Sequence, residues 1–156
     1  MILSLEKFAV SAPPKVPKRR KGRTRVDSTT DDIHLDPALM YLVRLRVVQI
    51  IGCKSCMNEY STELKLNGET DRRVRLLNNW RRETAFSLRE KAALNLAEAV
   101  TCNPISSIPQ GAIYAASPFF TEEQLILFVL EIAAVNDWHY LKSFQHDTMT
   151  SRPPHE

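Results

Sequence analysis

The stretch DPALMYLVRLRVVQIIGCKSC, residues 36–56, decides the fold. Asp36 followed by Pro37 marks a helix start, because a short acidic side chain caps free N–H groups and proline suits the first helical position, where no N–H is needed. Leu39, Leu42, Val43, Val47 and Ile50 then carry an apolar-rich helix to Gly52, which interrupts it. A second helix starts at Cys53 or just after it and continues to Leu66, where Asn67-Gly68 stops it.

The same punctuation recurs downstream. Thr70 caps a third helix running to about Arg81, with Val74, Leu77 and Trp80 on one side. Ser87-Leu-Arg-Glu90 is a capping box that opens a fourth helix, ended by Asn103-Pro104. A short helix follows near Gln110 to Ala116. Thr121-Glu-Glu-Gln124, a second capping box, opens the longest helix, to about Phe144. No stretch alternates apolar and polar residues between hairpin turns, so no sheet is predicted; the fold class is all-α, a bundle of about six helices. Between Leu125 and Val135 the last helix has hardly any polar face, which predicts cover on every side and therefore burial by a second subunit. Glu131 breaks that run, and it falls well short of the roughly 20 residues of a membrane span.

The 156 residues suffice for one core, and the scarcity of glycine, 4 in all, suits helices. Of the 21 basic residues, seven lie between Lys15 and Arg25, leaving 14 against 18 acidic ones elsewhere, so the net charge of +3 belongs to that segment. Residues 1–35 are therefore read as a flexible, basic, Pro-rich arm, 36–145 as the helical domain and 146–156 as a disordered tail. The arm is either a solvated linker or a contact for polyanions, and it has no aromatic residue between 11 and 32 for base stacking. The N-terminus lacks a basic segment followed by an apolar one, so a cytoplasmic location is expected, with no membrane partner.

Three cysteines, two of them only three positions apart, suit chemistry better than disulfide stapling. Residues three apart on a helix share a face, with β-carbons about 5–6 Å apart, within reach of a disulfide. Cys53 and Cys56 can therefore cycle between dithiol and disulfide. The positive end of the helix, together with Lys54, favours the thiolate. Tyr60 comes round to the same face, with Glu59 more lateral; both are candidates for proton handling. His139, beside Trp138 on the last helix, either approaches the dithiol in a bundle or is a hydrogen-bonded structural residue.

Other readings of the cysteines are a half zinc site or small core residues. Zinc needs two further ligands, while His34, His139, His146 and His155 are scattered and Cys102 is alone, so no metal is assigned. Glycine-rich phosphate loops and nucleophile elbows are absent, and no cofactor is expected. Trp80, Trp138, Phe119, Phe120 and Phe128 are read as packing, and Arg72-Arg73 and Arg81-Arg82-Glu83 as solvated helix faces.

The order of features from Leu42 through Cys56, Gly68 to Asp71, Leu76 to Trp80, Phe86 to Leu94, Ala97 to Thr101, Phe120 to Leu125 and Val135 to Trp138 resembles the alkylhydroperoxidase D-like proteins of the carboxymuconolactone decarboxylase superfamily. The resemblance spans roughly residues 36–145. It implies a helical fold assembled into trimers or hexamers, and a thiol peroxidase (peroxiredoxin) activity on hydroperoxides, reset by a dithiol reductant protein. Cys56 corresponds to the peroxidatic cysteine and Cys53 to the resolving one. A glutamate twelve residues before the first cysteine and a histidine four after the second commonly form a proton relay in this family; here those positions hold Tyr41 and Tyr60. With phenols there, either the activity is low, another group (Glu59, Glu63 or His139) serves, or peroxidase turnover is given up. The alternatives to a peroxidase are a catalytically weakened oligomeric redox-sensing or binding module and a small-molecule lyase of the decarboxylase branch.

Overall fold

The computed structural model of the chain describes residues 35–150. Six α-helices make up the bundle: α1 Pro37–Ile51, α2 Lys54–Leu66, α3 Asp71–Leu76, α4 Leu88–Cys102, α5 Gln110–Ala116 and α6 Glu122–Thr150. Short 3-10 turns at Leu77–Asn79 and Ile105–Ser107 join α3 to α4 and α4 to α5. Among the described residues there is no strand. No helix among them is long and apolar enough to cross a membrane. The N-terminal arm and the last residues of the tail lie outside the described residues.

The caps expected from the sequence are in place. Asp36 Oδ1 accepts from the Ala38 N–H at 3.0 Å. Ser87 and Glu90 form the reciprocal capping box of α4, and Thr121 and Gln124 pair in the same way at the start of α6. Two boundaries differ from expectation. The third helix gives out at Leu76 and tightens into the 3-10 turn before Trp80. The last helix passes Phe144 and runs to Thr150, into the segment read as tail, because neither glycine nor proline interrupts it there.

α1 and α4 form the centre, each packed against α6, with α2 on α1 and α5 on α4. This explains why α1 has almost no polar face: Leu42, Val43, Leu45, Val47 and Val48 are all buried. α6 contributes Phe128, Ile132, Val135 and Trp138 to the same core. Leu125 and Val129 pack at the core's edge, whereas Ile126, Leu130, Leu141 and Phe144 are exposed. Leu130 is 60% exposed and Phe144 61%, so a single chain does not cover α6 on every side.

Ionic contacts centred on three carboxylates, Glu131, Glu98 and Glu90, tie the bundle together. Arg44 of α1, only 3% exposed, pairs with Glu131 of α6. Glu98 of α4 gathers three donors: Arg46 at 2.8 Å, Trp80 Nε1 at 2.8 Å and Arg81 at 2.5 Å. Arg81 also lies over the Trp80 ring at 4.3 Å. Arg73 bonds Glu90 at 2.6 Å and lies over Phe86 at 5.0 Å. The arginines at 73 and 81 are therefore not simply solvated, since Arg73 ties α3, and Arg81 the turn after Trp80, to α4. Their neighbours Arg72 and Arg82 are exposed.

Burial alone raises the carboxyl pKa of Glu98, but hydrogen bonds from Arg81, Trp80 and Arg46 outweigh it and hold the group below its ordinary 4.5. Glu90 is likewise held below 4.5, burial being outweighed by Arg73 and Ser87. A carboxylate depressed in the folded state contributes stability above its unfolded pKa, and that contribution is lost as pH falls through the folded one. Resistance to urea unfolding is therefore expected to fall on acidification from about pH 4.5 downward, with a shallower acid limb in Glu98→Gln. Glu131→Ala removes the carboxylate from a buried guanidinium and is expected to cost about 3–5 kcal/mol in the same measurement. A well-packed Arg44→Met, Glu131→Leu pair is expected to recover most of that loss.

Candidate functional site

Gly52 sets the site. Its backbone stands at φ 83, the left-handed conformation that closes α1, and its N–H donates to the Val48 carbonyl at 3.0 Å. A Cβ there would touch nothing within 4 Å, so glycine is required by backbone conformation and not by space. The next residue, Cys53, is the N-cap of α2. Its sulfur takes the place of the usual cap oxygen, accepting from the Cys56 N–H at 3.3 Å.

Cys53 and Cys56 are joined as a disulfide, with α-carbons 5.3 Å apart. Their environments differ. Cys56 is fully buried in the core cluster, whereas Cys53 is half-buried at its edge, with the Ser55 hydroxyl 3.5 Å from its sulfur. Cys53 is therefore the sulfur open to an incoming thiol. Cys102 is a free, exposed thiol at the end of α4.

His139 reaches the pair from α6. One imidazole nitrogen and both sulfurs all lie within 4.8 Å of one another. Its Nδ1 is buried and has no hydrogen-bond partner among the described residues. Of the two possibilities open in the sequence, approach to the dithiol is the one the bundle realises.

Tyr60 is buried one turn beyond Cys56, and its hydroxyl has no hydrogen-bond partner among the described residues. Burial pushes its pKa up to about 12, with Glu59 and Tyr41 adding to the shift and Arg44 opposing it. The phenol therefore keeps its proton at neutral pH and cannot act as a base there. Tyr41, buried on α1, is also shifted upward, by burial and then by the neighbouring Glu63 carboxylate, against Arg44. Glu59 is exposed on α2. Desolvation lowers the pKa of Arg44, which lies 5.7 Å from the centre of the Tyr41 ring.

Neither Arg44 nor Glu131 stands out in the sequence as a member of this region. The available signal was that each places a charge within an otherwise apolar helix. Such a charge is costly to bury unless an opposite one meets it.

Residues 21–99 match the carboxymuconolactone decarboxylase family. The chain is 28% identical over 123 residues, 79% of its length and 84% of the relative's, to YdfG of Bacillus subtilis (strain 168), itself uncharacterized. A solved protein of unknown function from Agrobacterium tumefaciens, named as a candidate antioxidant defence protein AhpD, is similar with a TM-score of 0.66. It is 24% identical, covering 78% of this chain and 81% of that one, and this likeness speaks for the fold. The family match takes in α1, the Gly52 joint, the dithiol and most of α4, and the six-helix bundle has an AhpD-like fold: the chain belongs to the carboxymuconolactone decarboxylase family.

Proposed function

We propose that the protein is a dithiol redox module whose Cys53/Cys56 pair is oxidised by hydroperoxides and reset by an external dithiol, with low turnover. The observation that carries this reading is the bonded pair at the start of α2 with a His139 nitrogen within 4.8 Å of both sulfurs. In the oxidising half, the Cys56 thiolate attacks the peroxide, takes the distal oxygen as a sulfenic acid and releases the alcohol. Cys53 then displaces water to form the disulfide. In the reducing half, a dithiol attacks the accessible Cys53 sulfur, Cys56 leaves as a thiolate, and the second thiol of the reductant closes its own disulfide.

The low turnover follows from Tyr60. A phenol held near 12 by burial cannot take the thiol proton at neutral pH, and Tyr41, also shifted upward, is no better placed. The proton is then left to His139, a single imidazole on a separate helix, in place of a two-member relay. The module works as a homo-oligomer, trimer or hexamer, in which a second copy covers the apolar outer face of α6 around Leu130 and Phe144.

Cys56→Ser is expected to abolish peroxide consumption with a dithiol reductant, and Cys53→Ser to stop after a single turnover. Unchanged rates in both variants would remove the redox reading in favour of the thiol-independent lyase branch. His139→Ala is expected to slow oxidation by roughly 100-fold or more, whereas Tyr60→Phe stays within about threefold of the parent, since the phenol is not the base. A collapse of the rate in Tyr60→Phe alone would reverse that assignment. Sedimentation velocity of Leu130→Glu should show a smaller assembly than the parent; an unchanged profile would exclude this face as the contact.

A further inference from the structure

The cysteine pair and His139 make a donor set with a second use. We propose that the reduced protein binds one zinc(II) ion through Cys53 Sγ, Cys56 Sγ and an imidazole nitrogen of His139, and that oxidation to the disulfide expels it. The proposal rests on the preceding reading only in requiring that the pair be reducible.

Geometry is the first support. Around a tetrahedral zinc, with sulfur at about 2.3 Å and nitrogen at about 2.0–2.1 Å, ligand atoms lie roughly 3.5–3.8 Å from one another. The three ligand atoms here fall within 4.8 Å of one another. The sulfurs are held together by their bond in the oxidised form, and breaking it lets them part toward zinc spacing by rotation of two side chains, while His139 closes by about 1 Å. The C-x-x-C pair is half of a common zinc ligand set, and α6 supplies the third ligand that sequence order hid.

Chemistry is the second. Two thiolates and an imidazole select zinc over calcium or magnesium, which prefer oxygen. Cys56 is fully buried, so a reduced, ionised pair places negative charge at the edge of the core. A divalent cation neutralises both thiolates there. The buried Nδ1 of His139 also lacks a hydrogen-bond partner among the described residues, a state that buried polar atoms seldom keep. With three protein ligands, the fourth position falls to water on the half-exposed side of Cys53.

Metal and oxidant then compete for the same sulfurs. When a hydroperoxide takes the two electrons of the bound thiolates, two protons are consumed, alcohol and water form, the disulfide closes and one zinc ion is released. Zinc thus holds the pair reduced until peroxide arrives.

The test titrates zinc into the full-length protein, reduced and freed of reductant without oxygen, against a chromophoric chelator. Thiols are counted beforehand, three being full reduction. One zinc per chain at submicromolar affinity is expected, with a loss of about 100-fold or more in Cys53→Ser and Cys56→Ser and about tenfold or more in His139→Ala. Cys102→Ser is expected to bind as the parent does, and hydrogen peroxide to release one zinc per disulfide formed. Three free thiols with no stoichiometric binding at micromolar zinc overturn the metal site and leave the redox reading standing. Binding indifferent to His139→Ala also overturns it. A pair that stays oxidised under strong reductant overturns both.

Discussion

At Gly52 the backbone takes the left-handed conformation at φ 83, and the rest of the site depends on that one joint. It ends α1 and frees the chain to start α2 two residues later, so that Cys53 becomes the N-cap of α2 and Cys56 stands in its first turn. An L-residue at this point meets no steric obstacle from neighbours, only the cost of its own backbone conformation, about 1 kcal/mol or more. The joint also makes the two sulfurs unequal. One faces outward at the cap, while the other is driven into the core with α2.

The second constraint is the buried Arg44 to Glu131 pair, which fixes α6 against α1. Gly52 lies eight residues after Arg44, and His139 lies eight after Glu131. Eight residues are just over two helical turns, about 12 Å, so both helices advance by the same amount from the ion pair to the dithiol. Rotating α6 by one residue would turn His139 roughly 100° away from the sulfurs. The ion pair thus acts on the site through register. Its contribution to net stability is modest, because the desolvation of both charges opposes their attraction.

Electrostatics separate the polar groups around the pair into those that move protons and those that do not. Desolvation dominates at Tyr60 and at Arg44, with opposite effects: the phenol holds its proton more tightly and the guanidinium less so. Where relatives are expected to keep a carboxylate and an imidazole, this chain has two phenols packed around an arginine. The imidazole beside the sulfurs comes instead from α6, a different element.

The sequence by itself determined the helices and the dithiol. Caps and glycines act within a few residues, so Asp36, Gly52, Ser87 and Thr121 were legible as boundaries, and the three-residue spacing of Cys53 and Cys56 implied a shared helix face. The third and last helices were misjudged in length, since 3-10 tightening before Trp80 answers to the packing of that indole onto Glu98, and the continuation beyond Phe144 needed only the absence of a breaker. Arg73 and Arg81 looked like solvated charges because their partners, Glu90 and Glu98, lie on another helix. Only the tertiary structure decided that His139 meets the dithiol, that Arg44 is neutralised by Glu131 and that burial keeps the Tyr60 phenol protonated at neutral pH. Each of these depends on the packing of separate helices, and helix packing is settled by contacts between residues that lie far apart in the chain.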